Sequence, residues 1–121
     1  MPAPTVGRIT TRTAFSELQR SRARGSSGPV RAVFVPAQPS APGVFPQVGY
    51  AVGKQCGPAV VRNRLRRRAR EVVRSEAHDL PRGTYLLRFA PDSAAVKPAA
   101  FRADVAKALH RAARDQGVRS Q

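Results

Sequence analysis

Apolar and polar residues alternate with a period of two in three short runs of the chain, and each run predicts a β-strand. The runs are residues 30–35 (VRAVFV), 47–52 (QVGYAV) and 85–90 (YLLRFA). The segment 36–46 contains four prolines, which cannot donate the hydrogen bonds of a sheet, and it is predicted to be a long loop. The first strand has two different faces, one formed by Val30, Ala32 and Phe34 and the other by Arg31, Val33 and Val35.

Helical spacing of apolar residues marks three further segments. A short helix is predicted from about Thr13 to Arg20, a longer one from Ala59 to about Ala77, and a final helix that begins at Pro98. The run 20–28 (RSRARGSSG) is predicted to be a basic turn, because Ser and Gly dominate it. The order helix, two strands, helix, strand, helix is typical of a small α+β sandwich in which helices cover a sheet.

The length of 121 residues fits one domain and no internal repeat divides it. We predict a flexible arm over residues 1–8, a single domain over 9–114 and a flexible tail over 115–121.

The middle helix has an apolar face and a strongly basic one. Residues 59–74 (AVVRNRLRRRAREVVR) contain seven arginines and a single acid, Glu71. At about 100° per residue, one face consists of Val61, Leu65, Ala69 and Val72, with Val73 at its edge. The opposite face consists of Asn63, Arg66, Arg67, Arg70 and Arg74, and the apolar stripe is flanked by Arg62, Arg64 and Arg68.

This basic face differs from an ordinary solvated helix surface, which alternates acids and bases at a spacing of four residues. Here four pairs at that spacing are like-charged: Arg62 with Arg66, Arg64 with Arg68, Arg66 with Arg70, and Arg70 with Arg74. Each such pair costs a few tenths of a kcal/mol. The pattern therefore favours a helix that binds phosphates over one that is merely solvated.

The composition agrees with a polyanionic partner. The formal net charge is +15 and the isoelectric point about 11.9, with 22 basic residues of which three are lysine. Arginine pairs with phosphate through two parallel hydrogen bonds and stacks on bases, which suits nucleic acid. A G+C-rich genome would also raise the arginine content.

Other classes of protein find little support in the sequence. One cysteine, Cys56, excludes an internal disulfide framework, and no apolar run is as long as a membrane span. The Arg/Ser/Thr-rich start could also serve as an organellar transit peptide, but it is compatible with a first helix, and we expect a cytoplasmic protein.

No catalytic motif is evident. The segment GYAVGK (49–54) fails as a phosphate-binding P-loop, because only three residues separate its glycines and Gln55 replaces the required hydroxyl. No motif joins Cys56 to His78 or His110, no Cys and His have metal-ligand spacing, and no pair of acids is placed for acid–base catalysis.

The run RNRLRRRAR (62–70), preceded by VGYAVGKQCGPAVV (48–61), resembles the protein subunit of bacterial ribonuclease P. The resemblance extends over about residues 8–112 and includes Arg8-Ile9 at the start. It implies a central four-stranded sheet covered by three helices, in the order α-β-β(-β)-α-β-α. In this topology, which is like that of domain 2 of ribosomal protein S5, the basic helix connects two parallel strands by a left-handed crossover, against the usual right-handed rule.

The resemblance also implies a function and a set of binding residues. The family's catalytic RNA, with bound Mg²⁺, removes the 5′ leader of precursor tRNA, and the protein binds that RNA and the leader without an obligate protein partner. The positions that match its RNA-binding residues are Lys54, Arg62, Asn63, Arg64, Arg66, Arg67, Arg70 and, at the end of the same face, Arg74. Phe15 and Phe34 match positions lining the cleft for the single-stranded leader, where bases stack on rings. Ordinary core packing is the alternative for both rings.

Three residues depart from the family pattern: Gln19 in place of a second apolar or aromatic cleft residue, Gln55 in place of a second lysine, and Pro58 in place of a frequent asparagine. Three other functions remain as alternatives. A ribosomal protein bound to rRNA is the main one, and a DNA-binding helix module and an autonomous nuclease are weaker ones.

Overall fold

A computed structural model of the chain describes residues 21, 23–36 and 46–119, with side chains up to residue 115. The described part contains four strands, β1 (Ala23–Ser27), β2 (Val30–Pro36), β3 (Gln47–Ala51) and β4 (Gly83–Phe89). Two α-helices accompany them, α1 (Ala59–Glu76) and α2 (Pro98–Arg119). The helix predicted near Thr13–Arg20, the arm over 1–8 and most of the proline-rich loop lie outside the described residues.

The four strands form one mixed sheet in the order β1-β2-β4-β3. Strand β2 pairs antiparallel with both β1 and β4, whereas β3 pairs parallel with β4. The basic helix α1 therefore connects two neighbouring parallel strands, as the resemblance implied. The α+β class with a four-stranded sheet is confirmed, and the left-handed sense of the crossover stays a prediction.

The prediction of a basic turn over residues 20–28 is wrong, because most of this segment is strand β1. The turn itself is confined to residues 28 and 29, where Gly28 adopts a positive φ of 54°. A strand here has little apolar alternation to reveal it, since Ala23 is its one fully buried residue. Gly25 explains its packing: a side chain there would overlap the backbone of α2 at Ala108 and Ala112. Glycine thus lets α2 lie directly on β1.

The core lies between one face of the sheet and the two helices. That face presents the side of β2 that contains Phe34, together with Tyr85, Leu87 and Phe89 of β4. Helix α1 contributes Leu65, Ala69, Val72 and Val73, so its predicted apolar face is confirmed. Helix α2 contributes Phe101, Val105, Ala108, Leu109 and Ala112.

Both helices begin close to their predicted positions. Pro58 precedes α1 and its carbonyl oxygen accepts hydrogen bonds from the amides of Val61 and Arg62, which anchors the first turn. Helix α1 ends at Glu76 in a short 3₁₀ turn. Helix α2 extends to Arg119, so the segment 115–119 is helical where we predicted a tail.

The other face of the sheet is partly basic, and we call it the open face. It presents Arg24 of β1, Arg31 of β2 and Arg88 of β4, all exposed, around a small apolar cluster of Val33 and Leu86 with Val35 against it.

Candidate RNA-binding surface

The residues predicted to bind RNA lie on the polar sides of α1, where Arg62 and Arg64 flank the apolar stripe, and Lys54 lies in the short 3₁₀ turn that precedes the helix. Lys54, Asn63, Arg64, Arg67, Arg70 and Arg74 are exposed, and Arg62 and Arg66 are half-buried. We call this set the arginine face. The half-buried Arg62 contributes a buried Nε that has no hydrogen-bond partner among the described residues.

The acids of the described residues leave the arginine face unneutralised. Glu71 pairs with Arg102 at 3.0 Å, and Glu76 lies 3.0 Å from Nε2 of His110. Both contacts connect α1 to α2, and no ion pair within residues 46–115 uses an arginine of α1. Because like charges four residues apart repel, this surface is electrostatically suited to an external polyanion.

Two contacts orient individual side chains of the arginine face. Arg66 donates a hydrogen bond from Nη1 to Oδ1 of Asn63 at 3.0 Å. The guanidinium carbon of Arg70 lies 5.6 Å from the centre of the Tyr50 ring, which is cation–π geometry. Burial raises the pKa of Tyr50 to about 12, even though Arg70 and Arg74 act in the opposite direction. The Tyr50 phenol is therefore neutral at physiological pH.

A groove connects the arginine face with the open face of the sheet. It is lined by Arg66 and Tyr50 at one end and by Arg31 and Arg88 at the other, with the segment 51–53 between them. Arg31 and Arg88 lie directly opposite each other on β2 and β4. Like charges in such a cross-strand pair are destabilising, and a bound anion would relieve the repulsion.

Sequence reasoning gave no role to these two open-face arginines. The period-two pattern does place Arg31 opposite Phe34 on the predicted strand, and it places Arg88 opposite Leu87 and Phe89. The missing information was that an open groove lies on that side of the sheet.

The structure disagrees with the prediction that Phe34 lines the leader-binding cleft. Its side chain is 2% exposed and its ring stacks on Tyr85 with a centre-to-centre distance of 4.5 Å. The ring lies on the helix-covered face of the sheet, so it cannot stack on a base, and the core-packing alternative applies. Phe15 lies outside the described residues.

Two kinds of candidate catalytic group were considered in the sequence, a cysteine nucleophile and a metal site. Cys56 is buried, and its thiol lies 3.5 Å from the carbonyl oxygens of Phe89 and Ala90. No group of three or more His, Cys, Asp or Glu within the described ranges could hold a metal ion. Among the described helices none is long and apolar enough to cross a membrane.

The mixed sheet, the crossover helix and its unneutralised arginines define a small RNA-binding α+β protein. The sequence model of the family described as Ribonuclease P matches residues 4–113. The chain therefore belongs to the ribonuclease P protein family, whose members are the protein component of the endoribonuclease that matures the 5′ ends of tRNA.

Known relatives agree with this assignment. The ribonuclease P protein component of Thermobifida fusca is 36% identical over 107 residues, which cover 85% of this chain and 73% of the relative. That of Kocuria rhizophila is 36% identical over 115 residues, covering 91% and 98%. The solved structure of the RNase P protein from Thermotoga maritima superimposes with a TM-score of 0.71 at 19% identity, covering 86% of this chain and 96% of that one, and shows the same fold. None of these relatives supports the ribosomal alternative.

Proposed function

We propose that this chain is a protein cofactor that does no chemistry itself and that holds two RNAs together. The arginine face binds the catalytic RNA of ribonuclease P, and the groove leading to the open face binds the 5′ leader of precursor tRNA. The observation that carries the proposal is the row of α1 arginines left without acidic partners among the described residues. This role is performed in the cytoplasm, where we expect precursor tRNA to be processed.

The physical contribution of such a protein is electrostatic. Two folded RNAs repel each other, and a chain with a net charge of +15 placed between them lowers that repulsion. Each phosphate that meets an arginine also releases condensed counterions, so binding is favoured at low salt and falls steeply as salt increases.

The leader site that we propose relies on guanidinium groups in place of the Phe34 ring. Arg31 and Arg88 are exposed and in register on neighbouring strands, and they share one groove with Arg66. A single strand crossing this groove would place its phosphates against arginines from both the sheet and α1. Such contacts do not read bases, which suits a factor that must accept many leaders.

Hydrolysis in this proposal belongs to the RNA subunit. The Mg²⁺ that the reaction needs is proposed to be bound mainly by the RNA subunit, as the family resemblance implies. The protein contributes positive charge that lowers the Mg²⁺ concentration needed for folding and binding.

Cleavage of precursor tRNA by the catalytic RNA from the same organism, at low Mg²⁺, tests the proposal. We expect the protein to accelerate cleavage strongly under these conditions and weakly at high Mg²⁺. The absence of stimulation at low Mg²⁺ would refute the cofactor role, and cleavage by the protein without RNA would refute the assignment of catalysis.

A second comparison tests the leader site separately. The double variant Arg31→Gln/Arg88→Gln should weaken holoenzyme binding of precursor tRNA but leave binding of mature tRNA, which lacks the leader, unchanged. An equal loss for both ligands would place the effect elsewhere.

A further inference from the structure

Tyr50 occupies the junction between the arginine face and the sheet, and the proposed function gives it no role. It belongs to β3, the edge strand of the described sheet, and its side chain is half-buried. The centre of the ring lies 5.6 Å from the guanidinium carbon of Arg70, and the residue also lines the groove near Arg66. Tyr50 thus contacts the RNA-binding helix without belonging to it.

The chain's other tyrosine shows what an internal structural role looks like. Tyr85 is fully buried, its hydroxyl donates a hydrogen bond to the carbonyl oxygen of Pro81 at 2.6 Å, and its ring stacks on Phe34. The Tyr50 hydroxyl makes no hydrogen bond within the described ranges. The Tyr50 ring packs partly against the core and also lies beneath the guanidinium of Arg70, so it joins the core to the arginine face.

The surroundings of Arg70 explain why that contact matters. Arg66 and Arg74 lie four residues away on either side, so both neighbours repel the Arg70 guanidinium. No acid pairs with Arg70 in the described part of the chain, and its side chain is exposed. Within the described residues, the negative face of the Tyr50 ring is positioned to attract this guanidinium.

We propose that Tyr50 is a positioning residue for RNA binding, which acts by holding the Arg70 guanidinium over its ring in the orientation that meets a phosphate. An arginine held in this way loses less conformational freedom on binding than a free one, so the affinity for RNA increases. The inference rests on the proposed function, since it requires that Arg70 contact RNA.

A double-mutant cycle on RNA affinity tests the role of the ring. The full-length chain and its variants are titrated into the catalytic RNA at one fixed salt concentration, and dissociation constants are compared. Tyr50→Leu keeps an apolar side chain but removes the ring, and we expect affinity to fall about three- to five-fold. Tyr50→Phe keeps the ring and should bind like the unmodified chain. In an Arg70→Ala background, Tyr50→Leu should have no further effect.

Arg67 provides the matched control, because it is exposed on the same helix and forms no ring contact among the described residues. Tyr50→Leu should weaken binding by the same factor with and without Arg67→Ala. If Tyr50 only stabilises the fold, Tyr50→Leu should weaken RNA binding by the same factor in the Arg70→Ala background as well. This result would overturn the inference. Thermal unfolding of each variant identifies any loss of folded protein.

Two further outcomes have distinct meanings. If Tyr50→Phe loses as much affinity as Tyr50→Leu, the hydroxyl and not the ring is responsible, and the inference is wrong. If Arg70→Ala alone leaves the affinity unchanged, Arg70 does not contact the RNA, and the proposed function fails at this residue together with the inference.

Discussion

If the arginine face binds RNA, the dependence of RNA affinity on salt concentration can be predicted quantitatively. Arg67 and Arg74 are exposed on α1 and take part in no ion pair within the described residues. Replacing both with glutamine removes two positive charges and keeps polar, helix-compatible side chains at both positions. It also relieves the repulsion between Arg74 and Arg70, so the fold should be as stable as before or more stable by a few tenths of a kcal/mol.

The magnitude follows from counterion release. Each phosphate contact contributes about 0.7 to 0.9 to the slope of log affinity against log salt concentration. Loss of two contacts should therefore flatten the slope by about 1.4 to 1.8. Over a four-fold change in salt, the ratio of unmodified to variant affinity should change by about ten-fold, with the largest loss at low salt.

Filter binding to the catalytic RNA over a series of KCl concentrations measures the slope directly. The control is Lys107→Gln/Arg114→Gln, which removes the same charge from exposed positions of α2. It should change the slope much less than the α1 variant does. An equal change in both variants would mean that net charge alone governs binding, and the reasoning about a specific face would be refuted.

Three further predictions concern packing and ionisation. Gly25→Val should destabilise the fold by at least about 2 kcal/mol in denaturant unfolding, because the side chain overlaps the backbone of α2; an unchanged midpoint would contradict the close approach. Asp104→Ala should cost about 1 kcal/mol through loss of the 2.6 Å hydrogen bond from Ser27, with Ser27→Ala giving a loss that does not add to it. The raised pKa of Tyr50 means that the folded state binds the phenol proton more tightly than the unfolded state does. The free energy of unfolding should therefore fall as pH rises from 10 towards 12, and in Tyr50→Phe it should fall less over the same range.

Those parts of the fold with a strong local pattern could be predicted from the sequence. Helix α1 has an uninterrupted apolar stripe, and strands β2, β3 and β4 are short apolar runs with partial period-two alternation. Strand β1 could not be predicted in this way, because its pairing with β2 and its packing under α2 are tertiary interactions. Its Gly25, which resembles a turn residue in the sequence, is needed for helix contact in the structure.

The need for tertiary information also explains which site residues could be predicted. The helical spacing of charged residues predicts the exposed arginines of α1. Period-two alternation, however, does not tell which face of a sheet the helices cover. Both faces of β2 contain apolar residues, and burial under α1 and α2 places Phe34 inside and Arg31 outside. This placement changes the expected chemistry of leader binding. The proposed groove lined by Arg31, Arg66 and Arg88 would bind the leader through its phosphates and not through stacking on a phenylalanine ring, so its affinity should fall as salt increases and depend little on base identity.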